Sequence, residues 1–239
     1  MITAVLFDLD GTLLPVDTGR LVEEYVRLLA RDFADLVDPG RFVSCLLDAT
    51  RAMLANRDPS RTAREVFAAS FYPAVGLTEE QAAPRLAQFY ARTYPRLRAL
   101  TRQDPAAREA VRAALGRGLV AVLATNPIFP EVAIRQRMAW AGVDDLPFAV
   151  VTTYETAHVC KPHPEYFLEV CEAIGHPPQR CLMAGNDARE DAVARRLGMR
   201  TFLVTDHLIN PGGLPVEADR AGSLADLATF LRTADLDAL

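Results

Sequence analysis

Two hydrophobic patterns divide the chain. In the first, short unbroken apolar runs stop at Gly, Asp, Thr or Asn: 2–7, 119–124, 148–151, 181–184 and 201–204. Apolarity without alternation marks strands buried on both faces, as in a parallel sheet. Between these runs, apolar residues recur at helical spacing over about 105–117, 128–141, 164–174, 188–197 and 223–234. Pro105, Pro130 and Pro164 sit near the predicted helix starts, where a missing N–H costs little. Gly142, Gly175 and Gly198 follow the predicted helix ends, as left-handed caps do. Strand and helix in alternation predict an α/β core with a doubly wound, Rossmann-like parallel sheet.

The second pattern fills 15–100 and holds no strand candidate. Leu21, Val22, Tyr25, Leu28, Leu29 and Phe33 recur at helical spacing, and three more amphipathic stretches follow near 40–55, 62–74 and 79–93. The chain is therefore expected to comprise an α/β core, 1–14 and 101–239, interrupted directly after its first strand by a four-helix cap over 15–100. The hinges fall at 14–18 and 94–104. An insert so placed reads as a lid. The segment 206–222, with Pro211-Gly212-Gly213, is long for a connection and either lines the site or runs over the surface.

In an open α/β sheet, ligands bind at the carboxyl ends of the strands. Those ends carry unusual chemistry here. The first strand ends Asp8-Leu9-Asp10-Gly11-Thr12, the second ends Thr125-Asn126, and the loop after the third carries Lys161-Pro162. The fourth ends Gly185-Asn186-Asp187, with Glu190 and Asp191 close behind. Clustered carboxylates repel one another unless a cation sits among them. Oxygen donors without His or Cys favour Mg²⁺. A hydroxyl, backbone amides and a lysine supply the anion-binding half. Metal, anion pocket and free carboxylate together suggest phosphoryl transfer through an aspartyl intermediate.

Composition narrows the alternatives. The chain has 239 residues, half of them hydrophobic, and a formal charge of −5. That excludes a disordered chain, and it speaks against broad binding to nucleic acid or anionic membranes. No apolar run approaches the roughly 18–20 residues of a membrane span, and the N-terminus lacks the basic region of a signal peptide. Cys45, Cys160, Cys171 and Cys181 form no C-x-x-C pair, which argues for free thiols in a reducing cytoplasm and against zinc. Of 26 basic residues, only Lys161 is a lysine. A bias toward arginine accounts for the rest and leaves this one position to be explained.

Asp8-Leu9-Asp10-Gly11-Thr12 resembles the first signature of the haloacid-dehalogenase-like (HAD) hydrolase superfamily. Thr125, Lys161-Pro162 and the 185–191 cluster resemble its second, third and fourth signatures, in order, and the helical insert resembles the C1-type cap. The resemblance implies roles. Asp8 is the nucleophile toward phosphorus and a Mg²⁺ ligand. Asp10 is the general acid/base and gives its backbone carbonyl to the metal. Thr125 and the Asn126 amide bind the phosphoryl group, Lys161 neutralises charge, and Asp187 completes the metal shell. The fourth signature often has Asp directly after Gly, where this chain has Asn186 and then Asp187. Both stand as metal-ligand candidates, the charged Asp187 being favoured. Asp191 is expected either to orient Lys161 or to serve only as a first-turn acid beside the helix dipole.

The family often has Asp where this chain has His163, which leaves helix capping or a catalytic part open. Arg20, Arg51, Arg57 and Arg61 are cap arginines that could meet an anionic substrate but more ordinarily sit in solvent. Cys160, beside Lys161, is expected either to pack or to carry a lowered pKa. Within the resembled superfamily, dehalogenases generally lack an acid at the position of Asp10. Phosphonatases need a cap lysine for a Schiff base, and this cap has none. The expectation is a Mg²⁺-dependent phosphatase acting on a small phosphorylated metabolite. A phosphomutase or other phosphotransferase stays open on the same core. A non-catalytic phosphate-binding or regulatory protein would be expected to have lost Asp8, Asp10 or Lys161.

Overall fold

The structure, a computed structural model, describes residues 1–213 and 217–236. Six strands form one wholly parallel sheet: β1 (Ala4–Phe7), β2 (Val120–Leu123), β3 (Val150–Val151), β4 (Cys181–Gly185), β5 (Arg200–Val204) and β6 (Arg220–Gly222). Their spatial order is β3-β2-β1-β4-β5-β6. The chain winds outward from β1 in one direction, then restarts at β4 and winds outward in the other. The β1/β4 boundary is thus the topological switch point, where such sheets open a crevice. Phe7 is in register with Leu123 on one side and Ala184 on the other, so the three central strands end at one level.

β1 explains the unbroken apolar run. Val5 and Phe7 belong to one core cluster, Ala4 and Leu6 to another, and all four are buried. The first face packs α5 (Pro105–Gly116), α6 (Glu131–Ala141) and α8 (Leu224–Thr233). The second packs α7 (Pro164–Ile174) and a 3₁₀ turn, Ala192–Leu197. Pro105 and Pro164 are the first residues of α5 and α7, and Pro130 is the N-cap of α6. Gly142, Gly175 and Gly198 cap their helices in the left-handed region, with φ of 72°, 69° and 81°.

After β1 come α1 (Thr18–Asp32), α2 (Pro39–Ala55), α3 (Ala63–Val75) and α4 (Glu79–Gln88), then a π turn, Phe89–Thr93, and a 3₁₀ helix, Tyr94–Leu100. Thr62 with Glu65 and Thr78 with Gln81 form capping boxes that start α3 and α4. The Leu21, Leu28, Leu29 and Phe33 face joins the core cluster on the first side of the sheet. The insert is also tied to the segment between β3 and α7. Ala63 N donates to Ala157 O at 2.8 Å, Arg64 N to Tyr154 O at 2.7 Å, and Asn56 Nδ2 to His158 O at 2.9 Å.

Four details differ from the sequence reading. The segment 206–222 is not all connection: it includes β6, whose residues 220–222 are too few and too polar to read as a buried strand. Positions 214–216 lie outside the described residues. The 188–197 helix is only the 3₁₀ turn, preceded by a turn in which the Asp187 and Asp191 carboxylates accept from local backbone N–H groups. α6 begins at Glu131 rather than 128 because the residue before a proline is disfavoured from the helical region, and Pro130 itself is an extended N-cap with ψ of 155°. The stretch 79–93 breaks at Gln88 into α4 and the π turn. Among the described residues, no helix is long and apolar enough to cross a membrane.

Burial of β1 on both faces is directly checkable. Leu6→Ala and Phe7→Ala, adjacent in sequence, should each lower stability by about 2–5 kcal/mol in denaturant titrations. A strand with one solvated face would show the loss at only one of the two.

Candidate active site

The carboxyl ends of β1, β2 and β4 converge on a polar cavity of about 140 Å³ at the switch point. Its walls include Asp8, Asp10, Thr125, Asn126, Asn186, Asp187 and Asp191, so the chemistry of three of the four sequence segments occupies one place. Lys161 lies directly behind it. The insert contributes Thr18, Leu21 and Val22 of α1.

Asp8 extends the β1 ladder through its N–H to Ala184 O at 2.9 Å, which sets the start of its side chain. A tight turn follows: Leu14 N donates to Leu9 O at 2.8 Å and Gly11 N to Leu14 O at 2.9 Å. Gly11 is obligatory there. Its φ is +80°, and an added Cβ would lie 2.2 Å from Asn186 Nδ2. Thr12 Oγ1 reaches both Asp8 Oδ2 at 3.2 Å and Asn186 Oδ1 at 3.0 Å, linking the first and fourth segments.

Lys161 is 1 % exposed, and its ammonium lies 3.1 Å from Asp8 Oδ1 and 2.6 Å from Asp191 Oδ1. Burial opposes that charge, yet Asp191 and Asp8 together hold it well above the usual lysine range. Asp8 shows the complementary strain. Burial pushes its carboxyl up to about 7, with Lys161 pulling down and Asp191 and Asp10 pushing up. Asp191 is therefore more than a first-turn acid: it binds the lysine, and its Oδ2 also accepts from Asp187 N at 2.9 Å. It fits only because residue 185 is glycine; a Cβ there would meet Asp191 Oδ2 at 2.1 Å.

The two candidates in the fourth segment separate clearly. Asn186 is buried, and its carboxamide is engaged at both ends, by Thr12 Oγ1 at 3.0 Å and by His207 O at 2.6 Å. Asp187 commits Oδ1 to the N–H groups of Arg189 and Glu190 at 2.7 and 2.9 Å, while Oδ2 takes no part in that turn. In the second segment, the Thr125 carbonyl is clamped by Thr152 Oγ1 at 2.7 Å and Tyr166 Oη at 2.9 Å. The Asn126 side chain is used structurally: Oδ1 accepts from Lys161 N at 3.2 Å and Nδ2 donates to Glu190 Oε2 at 2.9 Å. That leaves its backbone N–H as the donor for a ligand. Burial pushes the Glu190 carboxyl up to about 7.

Arg137 went unnoticed in the sequence. It is fully buried on α6, its Nη1 donates to Asp10 Oδ2, and its guanidinium carbon sits 4.2 Å from the Phe129 ring centre. Asp10 Oδ1, Arg137 Nε, Arg137 Nη2 and Thr18 Oγ1 are buried without a protein partner, and all three residues line the cavity. A signal existed: Ile134, Arg137, Met138 and Ala141 follow the i, i+3, i+4, i+7 spacing of a buried helix face, and one of the four is charged.

The other candidates fall outside. Arg20, Arg51, Arg57 and Arg61 are exposed and none lines the cavity; Arg51 pairs with Asp48 and Arg57 with Glu165. His163 donates from Nε2 to Leu54 O at 3.0 Å, tying α7 to α2. Cys160 is buried in an apolar cluster, and burial pushes its thiol up to about 12, so proximity to Lys161 does not activate it. All four cysteines are free thiols.

The chain is 30 % identical over 216 residues to N-acetylmuramic acid 6-phosphate phosphatase of Pseudomonas aeruginosa, spanning 89 % of this chain and 85 % of that protein. Its fold is similar to the crystal structure of a HAD phosphatase from Thermococcus onnurineus, with a TM-score of 0.59, 21 % identity and coverage of 96 % and 98 % of the two chains. It is also similar to L-2-haloacid dehalogenase of Xanthobacter autotrophicus with chloropropionic acid covalently bound, with a TM-score of 0.57, 19 % identity and coverage of 98 % and 100 %. A family model for haloacid dehalogenase-like hydrolases matches residues 2–198, and this chain belongs to that family.

Proposed function

We propose that the protein is a Mg²⁺-dependent phosphatase that hydrolyses a small-molecule phosphomonoester through an aspartyl-phosphate intermediate. The observation that carries this reading is the Asp8 carboxylate at the head of the polar cavity, with a buried ammonium on one oxygen and a hydroxyl on the other. The phosphatase likeness of the Pseudomonas protein supports it.

Mg²⁺ fits the donor set. Five carboxylates line the cavity against one guanidinium, with Lys161 behind them, so a further positive charge is called for. Among the described residues no three His, Cys, Asp or Glu side chains form a metal cage. A site here would combine Asp8, Oδ2 of Asp187 and the backbone carbonyl of Asp10 with water, a set Mg²⁺ accepts. When bound, the ion would offset the charge of the phosphoryl oxygens.

The chain's own residues supply the steps. An Asp8 oxygen attacks phosphorus while Asp10 gives its proton to the departing ester oxygen. The resulting aspartyl phosphate is opened by water, from which Asp10 takes a proton back, returning Asp8 as carboxylate and releasing phosphate. Lys161, the Thr125 hydroxyl and the Asn126 N–H bind the equatorial oxygens, where charge is concentrated. Asp191 holds Lys161 in place, Asn186 holds the first and fourth segments together, and Arg137 fixes the Asp10 carboxyl. The helical cap, supplying α1 to the cavity wall, excludes bulk water.

Asp8→Asn should cut Mg²⁺-stimulated phosphate release by roughly 10⁴-fold or more, because the nucleophile is lost. Activity undiminished in that variant would sink the mechanism. Asp10→Asn should lose about 10² to 10⁴ in kcat with alkyl esters and far less with nitrophenyl esters, whose leaving oxygen needs no proton. Arg137→Met should shift the leaving-group dependence in the same direction. Lys161→Arg should lose about 10² to 10³ in kcat with the circular-dichroism spectrum unchanged, since a planar guanidinium does not fit between two carboxylates and a phosphoryl group. Near-normal turnover would remove Lys161 from the mechanism.

A further inference from the structure

A second cavity, of about 100 Å³, adjoins the catalytic one and shares Val22, Ile128 and Phe129 with it. It lies between α1, α2, α3 and the loop after β2, and its character is opposite to that of its neighbour. No charged side chain lines it. Its walls are aliphatic and aromatic, with Tyr25, Phe67, Phe71 and Phe129 prominent. Its polar side chains are largely spent on the protein itself: Tyr25 Oη lies 3.0 Å from Tyr90 Oη, and Thr50 Oγ1 donates to Leu46 O at 2.8 Å. The remaining two, Tyr72 and Tyr154, are phenols. Packed interiors keep few voids larger than a water molecule. An apolar void that shares a wall with the cavity holding Asp8 is therefore a place for the part of a substrate that carries no charge.

From this juxtaposition we propose that the enzyme selects phosphomonoesters of apolar alcohols, with the phosphoryl group at Asp8 and the hydrocarbon portion of the leaving group in the aromatic cavity. The proposal rests on the phosphatase reading above and names its substrate class. Its physical basis is differential desolvation. A hydrocarbon chain entering the cavity sheds water at no polar cost. The hydroxyls of a sugar phosphate would give up their water for a wall that offers almost no partners, which penalises them. The cavity thus differs in kind from one built for an amino sugar such as that named for the Pseudomonas relative.

The test is a substrate series on the intact enzyme with Mg²⁺. Phosphate release is measured for straight-chain primary alkyl phosphates from ethyl to hexyl, whose leaving oxygens are nearly equal in basicity. Glycerol 3-phosphate, glucose 6-phosphate and N-acetylmuramic acid 6-phosphate are the polar comparators, and phenyl phosphate reports phosphatase competence through its easy leaving group. The expected result is a rise in kcat/KM of roughly three- to fourfold per methylene, with hexyl phosphate turned over at least about 100-fold better than any polar ester. Thr50→Trp, which fills the cavity, should flatten the dependence on chain length. A flat wild-type series, a preference for a polar ester, or a slope that persists in Thr50→Trp each overturns the proposal. Absence of phosphate release from every ester, phenyl phosphate included, overturns the phosphatase reading itself.

Discussion

The ammonium of Lys161 is shared between Asp8 Oδ1 at 3.1 Å and Asp191 Oδ1 at 2.6 Å, in a site almost closed to water. A buried charge is costly alone and tolerable only when paired and hydrogen-bonded. The bond therefore ties three separate stretches of chain to one point: the end of β1, the loop after β3 and the turn after β4. Each must arrive correctly for the charge to be compensated. The parallel register of β1 and β4 delivers two of them, and the small residue at 185 leaves Asp191 the room to approach.

A second polar tier stabilises the first. Thr12 spans Asp8 and Asn186, Asn126 spans Lys161 and Glu190, and Thr152 with Tyr166 fixes the Thr125 carbonyl. Those bonds leave a few groups uncommitted: the outer oxygen of Asp187, one oxygen of Asp10 and two nitrogens of Arg137. Polar groups held rigid by satisfied neighbours, with a few left free toward a cavity, are the arrangement expected of a preorganised site. The resulting surface has two halves. One is charged and gathers at the strand ends; the other is aromatic and belongs jointly to the insert and the core.

Much of this was legible in the linear sequence. Unbroken apolar runs betrayed strands buried on both sides, and acids, hydroxyls and a lone lysine at their ends pointed to one rim. Lys161 stood out because it is the only lysine in the chain. Gly142, Gly175 and Gly198 marked helix ends by a steric rule that operates within a few residues. Arg137 escaped because burial of a charge depends on a partner 127 positions away. β6 escaped because a short strand at the sheet edge needs no apolar pattern; β5 supplies its partners.

The sequence by itself determined the α/β core, the helical insert after β1 and the polar side chains that stand at the strand ends, because periodicity and residue type are local properties. Only the tertiary structure decided their division of labour. Asn186 and Asp187 are neighbours with similar side chains, yet one is consumed by Thr12 and His207 while the other keeps an oxygen clear of its own turn. Asp191 became the partner of Lys161, and four cap arginines gave way to one arginine of the core. The aromatic cavity likewise exists only where α1, α2 and α3 meet the loop after β2. Hydrogen-bond partnership and desolvation are set by atoms distant in sequence, and no local pattern encodes them.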